Sequence, residues 1–126
     1  MARVLIIDDD KDLRRTLRRL LERAGHRTEE AANGGQGLAL FRDQSFDLVV
    51  TDLIMPEKEG IETIMELREE SPHIRILAVS GGLSMDKEGV LEDAEALGAD
   101  ASLAKPFGVE EFTRTVELLL EGTGSG

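Results

Sequence analysis

The sequence predicts an α/β fold, a parallel sheet covered by helices on both faces. Three observations carry that prediction. Short β-branched runs alternate five times with stretches whose apolar residues recur at helical spacing. The predominantly apolar runs 4–7 and 74–79 suit strands buried on both faces, as parallel strands are. The 126 residues suffice for one domain, and a chain of that size buries roughly two-thirds of its unfolded surface without disulfide or metal staples.

In order along the chain, Val4-Leu5-Ile6-Ile7 forms the first strand and ends on Asp8-Asp9-Asp10. A helix follows with Leu13, Leu17, Leu20, Leu21 and Ala24 on one stripe, stopped at Gly25. A weaker strand spans Arg27 to Ala31, then Asn33-Gly34-Gly35 reads as a turn before a short helix to Asp43. Asp47 to Asp52 is the third strand. Past Pro56, a helix from Gly60 to about Ser71 turns Ile61, Ile64 and Met65 inward. Ile74 to Val79 is the fourth strand, ending at Ser80-Gly81-Gly82. The fourth helix carries Val90, Leu91, Ala94 and Leu97 and stops at Gly98. Ala101 to Ala104 is a fifth, short strand ending at Lys105-Pro106, and the last helix places Phe112, Val116, Leu119 and Leu120 on one face. Parallel strands need helical crossovers, so five strand–helix units imply a doubly wound sheet in the flavodoxin-like (βα)5 arrangement. Residues 1–121 make up the domain, and the final Gly-Thr-Gly-Ser-Gly, 122–126, reads as a flexible tail.

Composition narrows the function. The chain is 40% hydrophobic and 33% charged, the balance of a soluble globular protein rather than a disordered one. No apolar run reaches the roughly 20 residues of a membrane span, and the start of the chain lacks a secretory apolar segment, so a cytoplasmic location is expected. With no cysteine, disulfides, thiolate metal sites and thiol nucleophiles are excluded. A net charge of −11 argues against a general nucleic-acid binder. The charge is unevenly spread. Residues 1–28 hold eight Lys/Arg against five Asp/Glu, and residues 29–126 hold seven against twenty-one. The basic excess sits on the first helix, in Arg14, Arg15, Arg18, Arg19 and Arg23. Such a patch can steer an acidic partner or be an ordinary solvated helix face.

Ligands of open parallel sheets bind beyond the carboxyl ends of the strands. The first strand delivers Asp8, Asp9 and Asp10 there, the third Asp52, the fourth Ser80 and Gly81, and the fifth Lys105. Singly, each has a plain explanation: Asp10 as a helix cap, Ser80 as a turn residue, Lys105 as a surface lysine. Convergence of Asp8, Asp9, Asp52 and Lys105 is not needed for capping. Clustered carboxylates repel unless a cation joins them, and oxygen ligands without His or Cys suit Mg²⁺, with Mn²⁺ as the alternative. A lysine, a hydroxyl and a glycine amide can then hold phosphoryl oxygens, and a carboxylate can itself be the nucleophile. The cluster reads as phosphoryl chemistry on a divalent ion, with the attacking Asp left open by spacing alone.

Over residues 3 to about 121 the chain resembles the receiver domain of two-component response regulators. The matching pieces are Val4 to Asp10, Asp47 to Asp52 with Met55-Pro56 and Gly60, Ile76 to Gly81, Gly98-Ala99-Asp100, and Leu103-Ala104-Lys105-Pro106-Phe107, in the family's order and spacing. The resemblance implies a phosphorelay signalling module, an enzyme only in that it autocatalyses its own phosphorylation and dephosphorylation. Asp52 would be the phosphoacceptor, served by a histidine kinase or phosphotransfer protein. Asp9, Asp52 and the backbone carbonyl of Ile54 would ligate Mg²⁺, with Asp8 acting through water. Lys105 would contact the phosphoryl group, Gly81 would offer its amide, and Ser80 would be the switch hydroxyl. The Lys105–Pro106 bond would be cis. The kinase would dock on the first helix, where the arginines lie on the solvent side and Arg15 and Arg19 meet an acidic patch. Output would pass through the fourth helix, fifth strand and last helix to a downstream protein or a second copy, with no direct nucleic-acid or membrane contact. A receiver excised from a hybrid kinase or longer regulator fits the same residues.

The chain departs from the family at three places. The aromatic normally three residues before the lysine is Ser102, so coupling of the hydroxyl to an aromatic flip is not carried over. The loop from Ser80 to Met85 looks longer than usual and is rich in glycine. Ile54 and Gly82 stand where the family tunes aspartyl-phosphate lifetime. Two other readings compete. A haloacid-dehalogenase-like phosphatase would use Asp8 as nucleophile with Asp10, but Lys11-Asp12 follow where Thr or Val is expected. A non-phosphorylated docking module of the same fold would have no need of Asp52, Lys105 and the first-strand acids together.

Overall fold

The computed structural model describes residues 2–53, 60–80 and 98–124, with backbone alone at Ser80 and 122–124. The elements run β1 (Arg3–Ile7), α1 (Lys11–Arg23), β2 (Arg27–Ala31), α2 (Gly34–Asp43), β3 (Leu48–Asp52), α3 (Gly60–Glu70), β4 (Arg75–Ser80), β5 (Ala101–Ala104) and α4 (Val109–Gly124). All five strands join one sheet in the order β2-β1-β3-β4-β5, with each neighbouring pair parallel. This is the doubly wound order expected from the alternation of strands and helices. The helix expected to carry Val90, Leu91, Ala94 and Leu97 lies outside the described residues.

Strand alternation divides the core into two layers. Val4 and Ile6 of β1 pack with Leu48, Val50, Leu77, Val79 and Leu103 beneath Leu17 and Leu21 of α1 and Phe112 and Val116 of α4. Leu5 and Ile7 face the other way, toward Leu38 of α2 and Ile64 and Leu67 of α3. Burying a leucine such as Leu17 or Leu21 contributes about 2 kcal/mol. These two apolar layers make the strands rigid, and that rigidity fixes what their ends carry.

Helix α1 is defined at both ends by its own side chains and turns. Asp10 is its N-cap, and the Asp10 carboxylate accepts from the amides of Asp12 at 3.0 Å and Leu13 at 3.2 Å. At the other end Gly25 takes a left-handed φ of 93°. The Gly25 and His26 amides then close onto the carbonyls of Glu22 and Leu21, the paired bonds that terminate helices at such a glycine. Ala24, expected on the buried stripe, is the exposed cap residue instead.

Three further expectations are corrected. Gly34 and Gly35 open α2 rather than forming a turn, because Asn33 caps it, accepting from the Gln36 amide at 2.9 Å. Met65 points outward and is 49% exposed, whereas Leu67 is fully buried. The inward face of α3 runs through Gly60, Thr63, Ile64 and Leu67, spacing that turns position 65 to solvent. Helical backbone in α4 continues to Gly124, into the segment that composition reads as a tail, and helix ends commonly shift by one or two residues. No helix among the described residues is long and apolar enough to cross a membrane.

Candidate functional site

Register brings the strand-end residues together. β1 and β3 pair Val4 with Leu48 and Ile7 with Thr51. One residue further, Asp8 and Asp52 stand side by side, both on the α1 face of the pleat. β4 and β5 pair Ser80 with Ala104, which sets Lys105 just beyond the last rung. The sheet's carboxyl edge thus gathers residues far apart in sequence.

Asp8 is 1% exposed and Asp52 is 5% exposed, while Asp9 is open to solvent. One carboxylate oxygen from each of Asp8, Asp9 and Asp52 lies within 4.8 Å of the other two. The Lys105 ammonium donates to Asp8 Oδ2 at 2.9 Å and lies 3.6 Å from Asp52 Oδ2. Burial works against the Lys105 charge, but the hydrogen bond to Asp8 and the charges of Asp52, Asp8 and Asp10 outweigh it and hold its pKa above the usual lysine value. Lys105 is therefore a permanent cation at neutral pH. The Lys105–Pro106 bond is cis.

Both oxygens of Asp8 are engaged, one by Lys105 and the other by the Asp10 amide at 2.9 Å. Asp10 spends its own carboxylate on the helix cap. The close approach of Gly60 completes the frame: its amide donates to the Leu53 carbonyl at 3.1 Å, and a Cβ there would lie 2.0 Å from the Asp52 carbonyl oxygen.

The donor set fits a small divalent ion. Opposed ligands around Mg²⁺ stand about 4.2 Å apart, so carboxylate oxygens within 4.8 Å need little closure. An exposed Asp9 leaves room for the waters such an ion keeps. The Ser80 side chain, the Ile54 carbonyl, Gly81, Gly82 and the loop through Met85 lie outside the described residues.

The basic helix is less uniform than its sequence suggests. Arg15 and Arg19 are exposed and make no ion pair among the described residues. Arg18 is exposed and paired with Glu22 and Glu30 at 3.1 Å each. Arg14, expected on the solvent side, is instead turned inward with its side chain 14% exposed. Its Nη1 donates to the Asp8 carbonyl at 2.7 Å and its Nε to Glu30 at 3.2 Å. Sequence reasoning missed this contact. The available signal was Arg14 flanking the Leu17–Leu21 stripe at helical spacing, while Glu30 alternates with buried Thr28 on the same face of β2. Beside the site, Asp10, Leu13, Lys105, Pro106 and Phe107 line a cleft of about 270 Å³.

A parallel sheet in this order, with three carboxylates and a lysine at its carboxyl edge, defines a receiver-type signalling module. Residues 4–117 match the profile of the response regulator receiver domain, and the chain belongs to that family. It is 31% identical over 120 residues to the response regulator receiver protein CpdR of Brucella abortus, covering 95% of this chain and 98% of that one. It is 38% identical over 120 residues to the transcriptional regulatory protein CpxR of Klebsiella pneumoniae, again over 95% of this chain but only 50% of the relative. The chain thus spans about half the length of CpxR and nearly all of CpdR. Among solved structures, a response regulator receiver domain protein from Clostridium thermocellum superposes with a TM-score of 0.90 at 25% identity, over 98% of this chain and 97% of that one. A CheY-like receiver domain protein from Methanospirillum hungatei gives 0.86 at 29% identity, over 97% and 95%.

Proposed function

We propose that the chain is a phosphorelay receiver whose Asp52 accepts a phosphoryl group from a histidine kinase or phosphotransfer protein. The observation that carries this reading is the Asp8–Asp9–Asp52 cluster with the Lys105 ammonium 3.6 Å from Asp52. An Asp52 oxygen attacks phosphorus, the P–N bond of the donor phosphohistidine breaks, and its electron pair stays on the imidazole, which picks up a proton. Asp9, Asp52 and the Ile54 carbonyl would hold Mg²⁺ or Mn²⁺ directly, and Asp8 through water. Bound there, the ion supplies charge neutralisation between carboxylates and phosphoryl oxygens. Lys105 pairs with one phosphoryl oxygen, and the Ser80 hydroxyl and Gly81 amide donate to the others. The same groups support autocatalysed phosphorylation from small donors and hydrolysis.

The exposed Arg15 and Arg19 are the docking charges for the donor. Output passes through the fourth-helix segment, β5 and α4 to a downstream protein or a second copy. The acidic body disfavours direct nucleic-acid contact, and a cytoplasmic site of action without membrane contact suits the composition.

Intact mass after incubation with acetyl phosphate and Mg²⁺ tests this reading. One added phosphoryl group is expected, lost with EDTA and in Asp52→Asn. An adduct that survives Asp52→Asn overturns the assignment and moves the nucleophile, with Asp8 next in line. An unmodified wild type that also fails to bind beryllofluoride with Mg²⁺ leaves a docking module.

A further inference from the structure

Among the described residues, beyond the strand-end acids and the lysine, Arg14 is fixed against the site from behind. We infer that Arg14 is a positioning residue for the divalent-metal and phosphoryl site, acting on the β1–α1 turn through the backbone of Asp8; this rests on the receiver reading above.

The turn is short and carries a great deal. Asp8, Asp9 and Asp10 are consecutive. The first is bonded to Lys105, the second is the exposed carboxylate of the cluster, and the third caps α1. Asp8 and Asp9 are like charges that repel each other and Asp52 when no metal is bound. Bonds from outside the turn therefore add to what its own carboxylates hold.

Besides the Asp10 carbonyl, which accepts from the Arg14 amide at 3.0 Å as α1 begins, the turn's backbone has three further anchors. The Asp8 amide donates to the Ala31 carbonyl at 3.1 Å, and the Asp10 amide to the Asp8 side chain at 2.9 Å. The Asp8 carbonyl lies past the last rung that β1 shares with β3. It accepts from Arg14 Nη1 at 2.7 Å, a charge-assisted bond of the stronger kind.

Arg14 is itself held. Its Nε donates to Glu30 Oε1 at 3.2 Å, and Glu30 Oε2 accepts from Arg18 at 3.1 Å, which also pairs with Glu22. Glu30 stands opposite Ile6 in the β1–β2 register, so the sheet edge carries the carboxylate that aims the guanidinium. With its side chain 14% exposed, Arg14 is committed to this position, unlike the exposed Arg15 and Arg19 next to it. Partners that orient metal ligands typically change affinity by about tenfold or more when removed.

The test compares wild type, Arg14→Met, Arg14→Lys and Glu30→Gln. Three quantities are measured: Mg²⁺ affinity by calorimetry, hydrogen exchange of the Asp9 and Asp10 amides in the metal-free chain, and modification by acetyl phosphate. Arg14→Met, which keeps the aliphatic stem, is expected to weaken Mg²⁺ binding about tenfold and to speed exchange at Asp9 and Asp10 selectively. Arg14→Lys should recover part of both, and Glu30→Gln should fall between. Mg²⁺ affinity within about twofold of wild type in Arg14→Met overturns the inference. So does a loss that Arg14→Lys does not relieve and that comes with faster exchange throughout the core, which assigns Arg14 to packing. Slower transfer from a kinase alone, with normal Mg²⁺ binding, assigns it to docking and equally overturns the inference. A wild type that binds Mg²⁺ but takes no phosphoryl group on Asp52 ends the phosphoacceptor reading instead, while the Mg²⁺ and exchange measurements still decide the role of Arg14.

Discussion

Lys105 is bound more closely to Asp8 than to Asp52, with its Nζ 2.9 Å from one carboxylate and 3.6 Å from the other. In the metal-free protein this ammonium is a positive charge that offsets the buried pair. A divalent ion drawn to the same carboxylates is repelled by it. Lys105→Met is therefore expected to tighten Mg²⁺ binding about tenfold, equivalent to about 1.4 kcal/mol, while slowing modification by acetyl phosphate. Calorimetry is the suitable readout because the chain has no Trp or Tyr. Weaker Mg²⁺ binding would mean that the ammonium chiefly orients Asp8.

Gly60 stands where no side chain fits. A Cβ would meet the Asp52 carbonyl oxygen at 2.0 Å and the Leu53 Cα at 2.5 Å, both backbone atoms. Gly60→Ala must push apart α3 and the end of β3, which carries Asp52. Overpacking of this kind costs about 1–3 kcal/mol, to be read from urea unfolding, and Mg²⁺ binding should weaken with it. Unchanged stability would show that the Asp52–Leu53 backbone yields freely.

Much of this was legible in the sequence because unbroken apolar runs and a helical period alternate along the chain. Val4 to Ile7 and Leu48 to Val50 are apolar throughout, so the pleat can send neighbours into either layer, and the helices carry the 3.6 spacing that covers those layers. Once the strands are parallel, Asp8, Asp9, Asp52 and Lys105 must share an edge. What spacing could not settle was the direction of a long side chain beside the apolar stripe. Arg14 could snorkel to solvent or fold back onto Asp8, and that choice depended on Glu30, whose place was fixed only by β1–β2 pairing. The start of α2 differs from the turn that its sequence suggests for a related reason. Two glycines oppose a helix, but the Asn33 cap restores a bond to the Gln36 amide.

Arg68 ties three chain segments to the floor of the sheet. Its guanidinium donates to the carbonyls of Pro72 at 2.8 Å, Ile74 at 2.7 Å and Gly98 at 2.6 Å, and to Asp100 Oδ2 at 2.9 Å. That same carboxylate oxygen accepts from the Ile76 amide at 2.8 Å. Arg68→Ala leaves the part-buried carbonyls of Ile74 and Gly98 unmet and is expected to cost about 3 kcal/mol in urea unfolding. Arg68→Lys should recover little, since a lysine lacks the planar fork. A loss below about 1 kcal/mol would show that water replaces these bonds without penalty.

His26 sets a weak acid limit on stability. Burial is the main cause lowering its pKa, and its Nδ1 accepts from the Ala2 amide at 3.1 Å, which only an unprotonated Nδ1 can do. A histidine depressed in the folded state adds stability that is present above its unfolded pKa of about 6.5 and is lost as pH falls through the folded value. Thermal midpoints should therefore decline from about pH 7 to about pH 5.5, and the decline should flatten in His26→Gln. An identical slope in both proteins would assign the effect to carboxylates.

Arg15 and Arg19 lie one helical turn apart on the solvent side of α1, with no ion pair among the described residues. Their charge is available to a partner, whereas Arg14 and Arg18 are occupied by Glu30 and Glu22. Reversing both, in Arg15→Glu/Arg19→Glu, should slow phosphotransfer from a histidine kinase that serves the wild type by about tenfold or more, with the loss shrinking at high salt. Modification by acetyl phosphate, which needs no docking surface, should be unchanged. Kinase transfer at the wild-type rate would remove these arginines from the docking surface. Equal slowing with both donors would place the defect in the site itself, and Mg²⁺ binding by the same variant would then be expected to fall as well.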